Sequence, residues 1–447
     1  MRLDDRKNNS LLVLILIVST VCYYMIAYNI TRTLFPVFIT LITVLFVLYL
    51  LVTSVDLAKQ YYKQLLLFSL FIRLVFLFAI PTLSDDYFRF IWDGVLTSNG
   101  INSYLYKPID IVQINGKVLS SFLMGLKANM NSINYYSPYP PVLQFIFYVV
   151  VKLSGYKILT NIITLRLLVI IAEIGTVWIG IKMLDLFNFD RQKILLYTLN
   201  PLVIIELTGN LHGEAFLIIF LLSSLYLLIK RYFFASALFL GLAVSTKLLP
   251  LIFIPVIVSF IGLKKGLVYC LIVLLIVTVS FIPFFNYNFI IHFGESIGYY
   301  FQKFEFNGSL YYLLRWIGYS LAGFNLIYFI GKVLPVLCFV IITIIAFYKK
   351  PISIEVFFER LLITMLVYYL FSLTVHPWYI TLLVVLSIFT VSRFAMVWSA
   401  LIMLSYSTYI QYPYHEILWV TTVEYLGLSV VLYKEFVSPS TKKINIV

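Results

Sequence analysis

The stretch Leu11 to Ile30, LLVLILIVSTVCYYMIAYNI, contains no charged residue and is long enough to cross a lipid bilayer as one helix. Similar runs recur almost to the C-terminus, and 62% of the chain is hydrophobic against 11% charged. A soluble domain cannot bury so much apolar surface. Because backbone amides in a bilayer must be bonded within the protein, and because these runs are too long for barrel strands, the sequence predicts an all-α, polytopic transmembrane helical bundle.

The first run follows a charged head, as in a secretory signal, but it is too long and no small-residue cleavage site follows it. We therefore interpret it as a retained span and expect about 14 spans in all. Residues 1–63 then form an N-terminal transmembrane hairpin, ahead of a transmembrane module at 64–447. The three cysteines match no metal or disulfide spacing.

Two long polar loops lie near residues 82–138 and 286–323, and loops of that length usually have a function. The first is predicted to carry interfacial helices at Asp85 to Ser98 and around Lys117 to Met130. The second is rich in tyrosine and is predicted to form an aromatic cap.

The net charge of +13 reflects topology rather than nucleic-acid binding, because Lys and Arg collect in the cytoplasmic loops of membrane proteins. With the N-terminus inside, Lys182, Lys264 and Lys349 fall in inner loops and both long loops fall outside. The segment Tyr139 to Leu153 is apolar but short, so we expect a partial or re-entrant helix there. A full crossing would place the later loops on the opposite side.

The strongest polar signal is SDDYFRFIWDG at residues 84–94, directly after an apolar run. On a helix, Asp86, Arg89 and Asp93 share one stripe that carries two carboxylates and a guanidinium. One interpretation is a solvated helix start with an acidic cap and an Arg89–Asp93 ion pair. The other is a functional site, because ionisable groups at a membrane boundary are costly unless they face a cavity or a substrate.

Further polar islands interrupt the apolar sequence on the same predicted outer face as Asp85, namely NLHGE at 210–214, HPWY at 376–379 and QYPYHE at 411–416. Each island alone is more typical of a helix end than of a site. Lys247, near an outer helix end, either extends to the lipid headgroups or pairs with an anionic lipid phosphate.

At these residues the chain resembles the GT-C superfamily of integral-membrane glycosyltransferases, especially the bacterial polyprenol-phosphate-mannose-dependent mannosyltransferase-like group. The resemblance covers most of the chain from about residue 64, and its elements occur in the expected order. They lie at 85–94, 100–104, 139–141, 200–202, 209–214, Lys247 with Pro250, and 376–379.

The resemblance implies an enzyme of the bacterial inner membrane with an outward-facing active site in the first long loop. Asp86, or as second choice Asp85, is the expected general base on an acceptor hydroxyl, which displaces a polyprenyl phosphate with inversion. The expected ligands of the donor phosphate are Arg89, Lys247 and, in reserve, Arg315. The expected substrate-binding residues are Asp93, Tyr139, His212, Glu214, His376 and Tyr379.

The implied partners are a polyprenyl-phosphate sugar donor, a glycan or glycolipid acceptor and membrane lipids, without nucleic acid. Adjacent Asp85 and Asp86 are not the spaced D-x-D of metal-using relatives, so we expect no cofactor and no obligatory metal. The family often has Asn-Asp where this chain has Gly213-Glu214, and two spans precede the acidic loop instead of one.

Two other functions stay open at this point: a flippase or transporter, and a polymerase or ligase, for lipid-linked glycans. A transporter predicts repeated halves and ionisable groups near the bilayer midplane. Here the charged residues cluster at one predicted face, and we find no internal repeat.

Overall fold

The computed structural model describes residues 3–349 and 353–438, and within these ranges the chain is predominantly helical. The only sheet in the described ranges is a two-stranded hairpin. The chain divides into two compact units, each built from separate stretches of sequence. The helical class predicted from composition is therefore confirmed, while the division at residue 63 stays a prediction.

The first unit comprises residues 1–83, 174–212 and 376–447, of which 1–2 and 439–447 lie outside the described residues. Its elements are Leu3–Tyr28, Phe35–Val52, Val55–Gln60, Tyr62–Val75, the end of Ile158–Leu186, Arg191–Ile194, Leu195–Thr198, Pro201–Val203, Ile204–Gly209, Pro377–Tyr379, Ile380–Ser387, Phe394–Leu401, Ile402–Tyr409 and Leu418–Phe436.

The second unit comprises residues 84–173 and 213–375 and holds both long loops. Its strands are Gln113–Ile114 and Lys117–Val118, paired antiparallel. Its helices are Asp86–Ser98, Pro108–Asp110, Ser121–Asn129, Pro141–Ser154, the start of Ile158–Leu186, Glu214–Ile229, Phe233–Thr246, Leu249–Phe253, Ile254–Ile261, Leu263–Phe281, Ile282–Phe284, Tyr287–Gln302, Leu310–Ala322, Ile327–Phe347 and Ile354–Phe371.

Five helices in the described part of the chain are long and apolar enough to cross a membrane. They are Asn8–Tyr28, Phe35–Val52, Ile158–Leu186, Leu263–Phe284 and Ile327–Phe347. The fourth displays its apolar residues outward, with Leu271 65%, Leu274 61% and Leu275 60% exposed. A continuous apolar surface of this kind is typical of a face covered by lipid.

The predicted total of about 14 spans stays a prediction. Several of the apolar runs that were counted as spans are broken into shorter helices in the structure. The predicted span 194–209 is interrupted at Asn200, and a new helix begins at Pro201. It ends in a short π-helix at Ile204–Gly209. The predicted span 248–262 begins with a short 3₁₀-helix at Leu249–Phe253, which contains Pro250. Proline lacks a backbone N–H and favours a new helix start over continuation.

The first long loop contains the two predicted helices with adjusted bounds. The first, Asp86–Ser98, is called the acidic helix below. The second is shorter than predicted, Ser121–Asn129, because residues 113–118 form the hairpin. The apolar segment after the loop forms Pro141–Ser154, whose 14 residues extend about 21 Å, less than the roughly 30 Å of a hydrocarbon layer.

The acidic helix packs closely on the helix Pro141–Ser154, and Gly94 makes this possible. A Cβ at position 94 would lie 2.4 Å from the carbonyl oxygen of Phe147. No side chain fits at that distance, so only glycine allows the two backbones to approach. The WDG motif at residues 92–94 thus fixes how the acidic helix sits in the second unit.

Candidate active site

The N-terminus of the acidic helix presents two adjacent carboxylates. Asp85 occupies the N-cap position, and the hydroxyl of Ser84 accepts a hydrogen bond from the backbone N–H of Asp86 at 3.3 Å. Both Asp85 and Asp86 are half-buried, and Asp86 Oδ1 accepts from Asn131 Nδ2 at 3.4 Å. Negative charge at a helix N-terminus is stabilised by the helix dipole. These carboxylates are therefore held in place and remain accessible.

One turn further along, Arg89 and Asp93 form a buried ion pair. Arg89 Nε donates to Asp93 Oδ1 at 2.7 Å, and their side chains are 1% and 0% exposed. Asp93 Oδ2 accepts from Gln144 Nε2 at 3.0 Å and from Ser137 Oγ. Since both carboxylate oxygens are occupied within the protein, Asp93 is poorly placed to act as a base.

The guanidinium of Arg89 also binds the loop that follows the helix Ser121–Asn129. Its Nη1 atom donates to the carbonyl oxygens of Ser132 at 3.1 Å and Tyr135 at 2.9 Å. Its Nη2 atom is buried and has no hydrogen-bond partner among the residues that the structure describes. The geometry favours the interpretation of Arg89 as the partner of Asp93 in an ion pair. Its role as a phosphate ligand stays a prediction, in which Nη2 would donate to the phosphate.

Tyr139 forms part of the wall beside the acidic helix. Its ring packs on Phe90 and Phe147, with centroids 5.1 and 5.6 Å away. Its carbonyl oxygen accepts from the hydroxyl of the fully buried Tyr104 at 2.5 Å. Burial, and then the negative charge of Asp93, raises the pKa of Tyr104, so this hydroxyl remains a protonated donor.

The two long loops contact each other within the second unit. The ring of Tyr136 stacks on His292 with centroids 3.9 Å apart, and the ammonium of Lys107 lies 4.8 Å from the same ring. The hydroxyl of Tyr135 bonds that of Tyr299 at 3.0 Å. The second loop therefore packs against the first through aromatic side chains, while its role as a cap stays a prediction.

Arg315, the reserve ligand for a phosphate, belongs to a polar cluster in the second loop. Its Nη1 donates to Glu305 Oε1 at 2.8 Å, and its guanidinium lies 4.4 Å from the ring of Tyr312. Glu305 also accepts from the hydroxyl of Tyr311. Because the guanidinium of Arg315 is already paired with Glu305, it must leave that carboxylate before it can bind a phosphate.

Lys247 is paired with Glu214 in the second unit. Lys247 Nζ lies 2.5 Å from Glu214 Oε1, and the two side chains are 31% and 6% exposed. Glu214 is the first residue of the helix Glu214–Ile229, and Lys247 follows the helix Phe233–Thr246. Lys247 is therefore paired within the protein, and its contact with a lipid phosphate stays a prediction. Its partial exposure leaves the ammonium able to contact an anion while Glu214 holds it.

We expect Lys247→Gln to raise the KM for an anionic donor by about 10-fold or more, because a charge-assisted hydrogen bond contributes about 1.5 to 3 kcal/mol. Steady-state transfer at varied donor concentration measures this effect. Lys127→Gln is the control, because Lys127 lies in the helix Ser121–Asn129 and donates to the carbonyl oxygens of Ile109 and Ile111. Equal KM values for both variants and the wild type would remove Lys247 from the site.

A second polar cluster lies inside the first unit, around Glu206. This side chain is fully buried, and its Oε1 accepts from the hydroxyl of Tyr406 at 2.7 Å. Its Oε2 accepts from Asn210 Nδ2 at 3.0 Å and lies 3.2 Å from His212 Nδ1. His212, predicted to bind substrate, is thus held by a carboxylate.

Two histidines of the first unit, His212 and His376, share an aromatic stack. The ring of His212 stacks on Trp378 with centroids 3.8 Å apart, and that of His376 stacks on Trp378 at 4.3 Å. Tyr379 meets His376 edge-on at 5.4 Å. Three residues predicted to bind substrate are therefore brought together by Trp378.

Sequence reasoning missed Glu206, although a signal was present: it is the only acidic residue in the apolar run 194–209. An ionisable residue inside such a run is expected to have a specific partner or function. Ser137 and Gln144 gave no signal, because they become partners of Asp93 only through the fold. In the described ranges, no group of three or more His, Cys, Asp or Glu is placed to hold a metal ion.

Comparison with known proteins gives two matches. A family model described as "Alpha-(1->6)-mannopyranosyltransferase, N-terminal domain" matches residues 16–262, more than half of the chain. The chain is also similar to alpha-(1->6)-mannopyranosyltransferase A of Corynebacterium glutamicum, with 24% identity over 199 residues. That alignment covers 42% of this chain and 39% of the relative, so the chain spans well under half of the relative's length. No solved structure matches.

Proposed function

Because this chain belongs to the alpha-(1->6)-mannopyranosyltransferase family, we propose that it transfers mannose from a polyprenyl-phosphate-linked donor to a glycan acceptor. The acceptor is lipid-linked or part of the envelope, and the reaction takes place at the outer face of the membrane. The observation that carries the proposal is the pair of accessible carboxylates at the start of the acidic helix, beside an ion pair that is fully buried.

In the proposed reaction, Asp86 accepts the proton of the acceptor hydroxyl while the hydroxyl oxygen attacks the anomeric carbon of mannose. The bond from that carbon to the phosphate oxygen breaks, and its electrons leave with the polyprenyl phosphate. Attack opposite to the leaving group inverts the anomeric configuration. Asp86 is suited to this role because its carboxylate is held at the helix N-terminus and is only half-buried.

The remaining site residues have supporting roles in this proposal. Lys247 stabilises the negative charge of the departing phosphate, with Arg315 as a reserve ligand from the second loop. Arg89 and Asp93 fix the acidic helix and the loop at 132–139. We expect no obligatory metal, because the cations of the chain itself can balance the phosphate charge.

The proposal is tested by offering the purified protein a panel of mannose donors that differ in the carrier. We expect consumption of polyprenyl-phosphate mannose and no consumption of GDP-mannose, because the proposed leaving group is a lipid phosphate. Polyprenyl-phosphate glucose has the same lipid carrier but a different sugar, so it tests whether the protein selects mannose. Use of the nucleotide donor in place of the lipid donor would contradict the proposal.

A further inference from the structure

The helix Leu310–Ala322, in the second long loop, has an exposed surface that is almost entirely apolar. Leu313 is 62% exposed, Trp316 70% and Leu321 84%. Arg315 is the only charged residue of this helix, and it is paired with a carboxylate of the protein. A helix that faces water carries polar residues on its exposed side. The exposed side of this helix is therefore suited to a cover other than water.

The opposite side of this helix packs on the start of Ile327–Phe347, which is long and apolar enough to cross a membrane. Tyr311 is fully buried in one cluster with Ile330 and Leu334. Leu334 is in the second turn of Ile327–Phe347, about 10 Å from the start of that helix at 1.5 Å per residue. The 21 residues extend about 31 Å, roughly the thickness of the hydrocarbon layer, so this contact lies at membrane depth.

The turn between the two helices holds them side by side. Gly323 ends Leu310–Ala322 in the left-handed conformation, at φ +78°. A Cβ at Gly318 would lie 3.3 Å from the side chain of Leu326, so the chain folds back closely on itself. With 13 residues the helix extends about 20 Å, too short to cross a hydrocarbon layer. It therefore lies beside the first turns of the neighbouring span.

Lys332 indicates the level of the membrane surface at the same place. It lies in the second turn of Ile327–Phe347, and its ammonium is 3.9 Å from the ring centroid of Tyr328, one turn nearer the start of the helix. A lysine within an apolar span extends its ammonium towards the headgroups in this way. Tyr328 is itself exposed, as is typical of tyrosines at the boundary between membrane and water. The headgroups are therefore expected near Tyr328, with Leu334 below them.

The exposed apolar surface continues along the chain into the spans on both sides of the loop. Phe324 and Phe329 are exposed and connect the helix to the apolar outer side of Ile327–Phe347. At the other end of the loop, Phe285 and Tyr287 are exposed directly after the span Leu263–Phe284. Lipid that covers the two spans therefore also reaches this helix, whereas a protein partner would have to displace it.

We propose that the helix Leu310–Ala322 is embedded in the interfacial region of the bilayer, with Leu313, Trp316 and Leu321 among the lipid chains. Its partner is the lipid surface, at a depth of about 5 to 10 Å, as for other helices that lie along a membrane. Part of the second long loop is then inside the membrane instead of in the water above it. No substrate enters this assignment, so it stands apart from the proposed function.

Collision accessibility of spin labels in lipid vesicles tests this placement. Single labels are attached to Leu313→Cys, Trp316→Cys and Leu321→Cys variants of a protein whose three native cysteines are replaced by Ala. The relaxing agents are oxygen, which concentrates in hydrocarbon, and a water-soluble nickel chelate. Leu274→Cys, on the exposed side of a span, is the lipid control. Asp110→Cys, at an exposed position in the first long loop, is the water control.

We expect the labels at positions 313, 316 and 321 to collide with oxygen as often as the label at position 274 does. The nickel chelate should reach them about 5-fold less often than position 110, or less still, because a polar solute partitions poorly into hydrocarbon. Equal access of the chelate to these positions and to position 110 would overturn the proposal and place the helix in water. Low access of both agents would also overturn it, since a protein surface such as a second copy would then cover the helix.

Tryptophan quenching reads the same surface without a cysteine or a label. The contribution of Trp316 to the fluorescence is the difference between the wild type and Trp316→Phe. We expect lipids brominated on their acyl chains to quench this contribution, and aqueous iodide to leave it unchanged. Trp92→Phe is the matched control, because Trp92 is fully buried and its contribution should be quenched by neither agent. Quenching of Trp316 by iodide alone, or by neither agent, would reject its position among the lipid chains.

Discussion

Replacing Asp86 by Asn should lower the rate of mannose transfer by about 10²- to 10⁴-fold, the usual effect of losing a general base. The amide keeps the size of the side chain and cannot accept the proton of the acceptor hydroxyl. The fold should tolerate the change, because Asp86 is half-buried and its hydrogen bond with Asn131 is long, at 3.4 Å. Single-turnover transfer with saturating donor isolates the chemical step.

The control for this prediction is Asp110→Asn, an exposed carboxylate in the same loop, which should transfer at the wild-type rate. Asp85→Asn separates the two adjacent carboxylates. If Asp85→Asn shows the large loss and Asp86→Asn does not, the base is Asp85. Wild-type rates in both variants would exclude the start of the acidic helix from the chemistry.

Removing Asp93 should produce the largest loss of stability. Asp93→Ala leaves the guanidinium of Arg89 buried without its carboxylate, and breaking such a pair costs about 3 to 5 kcal/mol. It also deprives Ser137 and Gln144 of an acceptor. Denaturant unfolding of the purified protein, followed by tryptophan fluorescence, measures the free energy directly.

Asp185→Ala is the matched control for this prediction. Asp185 and Arg191 form an ion pair at 2.6 Å, but their side chains are 41% and 61% exposed. Solvent screens an exposed pair, so its loss should cost no more than about 1 kcal/mol. Similar losses in Asp93→Ala and Asp185→Ala would contradict the assignment of Arg89 and Asp93 as a buried structural pair.

Much of the architecture around the candidate site follows from local sequence. Apolar composition fixes the helical class, and Ser84 with Asp85 marks the start of the acidic helix within one residue of its predicted position. The spacing of Arg89 and Asp93 by four residues on a helix was enough to propose their ion pair. Each of these features depends on residues close together in the chain.

Contacts between distant residues could not be predicted in the same way. Lys247 and Glu214 are 33 residues apart, and Glu206 meets Tyr406 across 200 residues. Their pairing depends on how the helices pack, which one sequence does not specify. Apolar runs also suggest continuous helices where the structure has breaks. Asn200 and Pro201 lower the hydrophobicity of their run only slightly, yet they end one helix and start another.

The most direct test of the account follows the bond between mannose and the lipid phosphate. Protein reconstituted in lipid vesicles is given polyprenyl-phosphate mannose and an acceptor glycan, and mass spectrometry quantifies both products over time. We predict that polyprenyl phosphate is released in a one-to-one ratio with mannose added to the acceptor, and that Asp86→Asn suppresses both together. Transport of the intact donor across the vesicle membrane without cleavage of that bond would contradict the account and indicate a flippase.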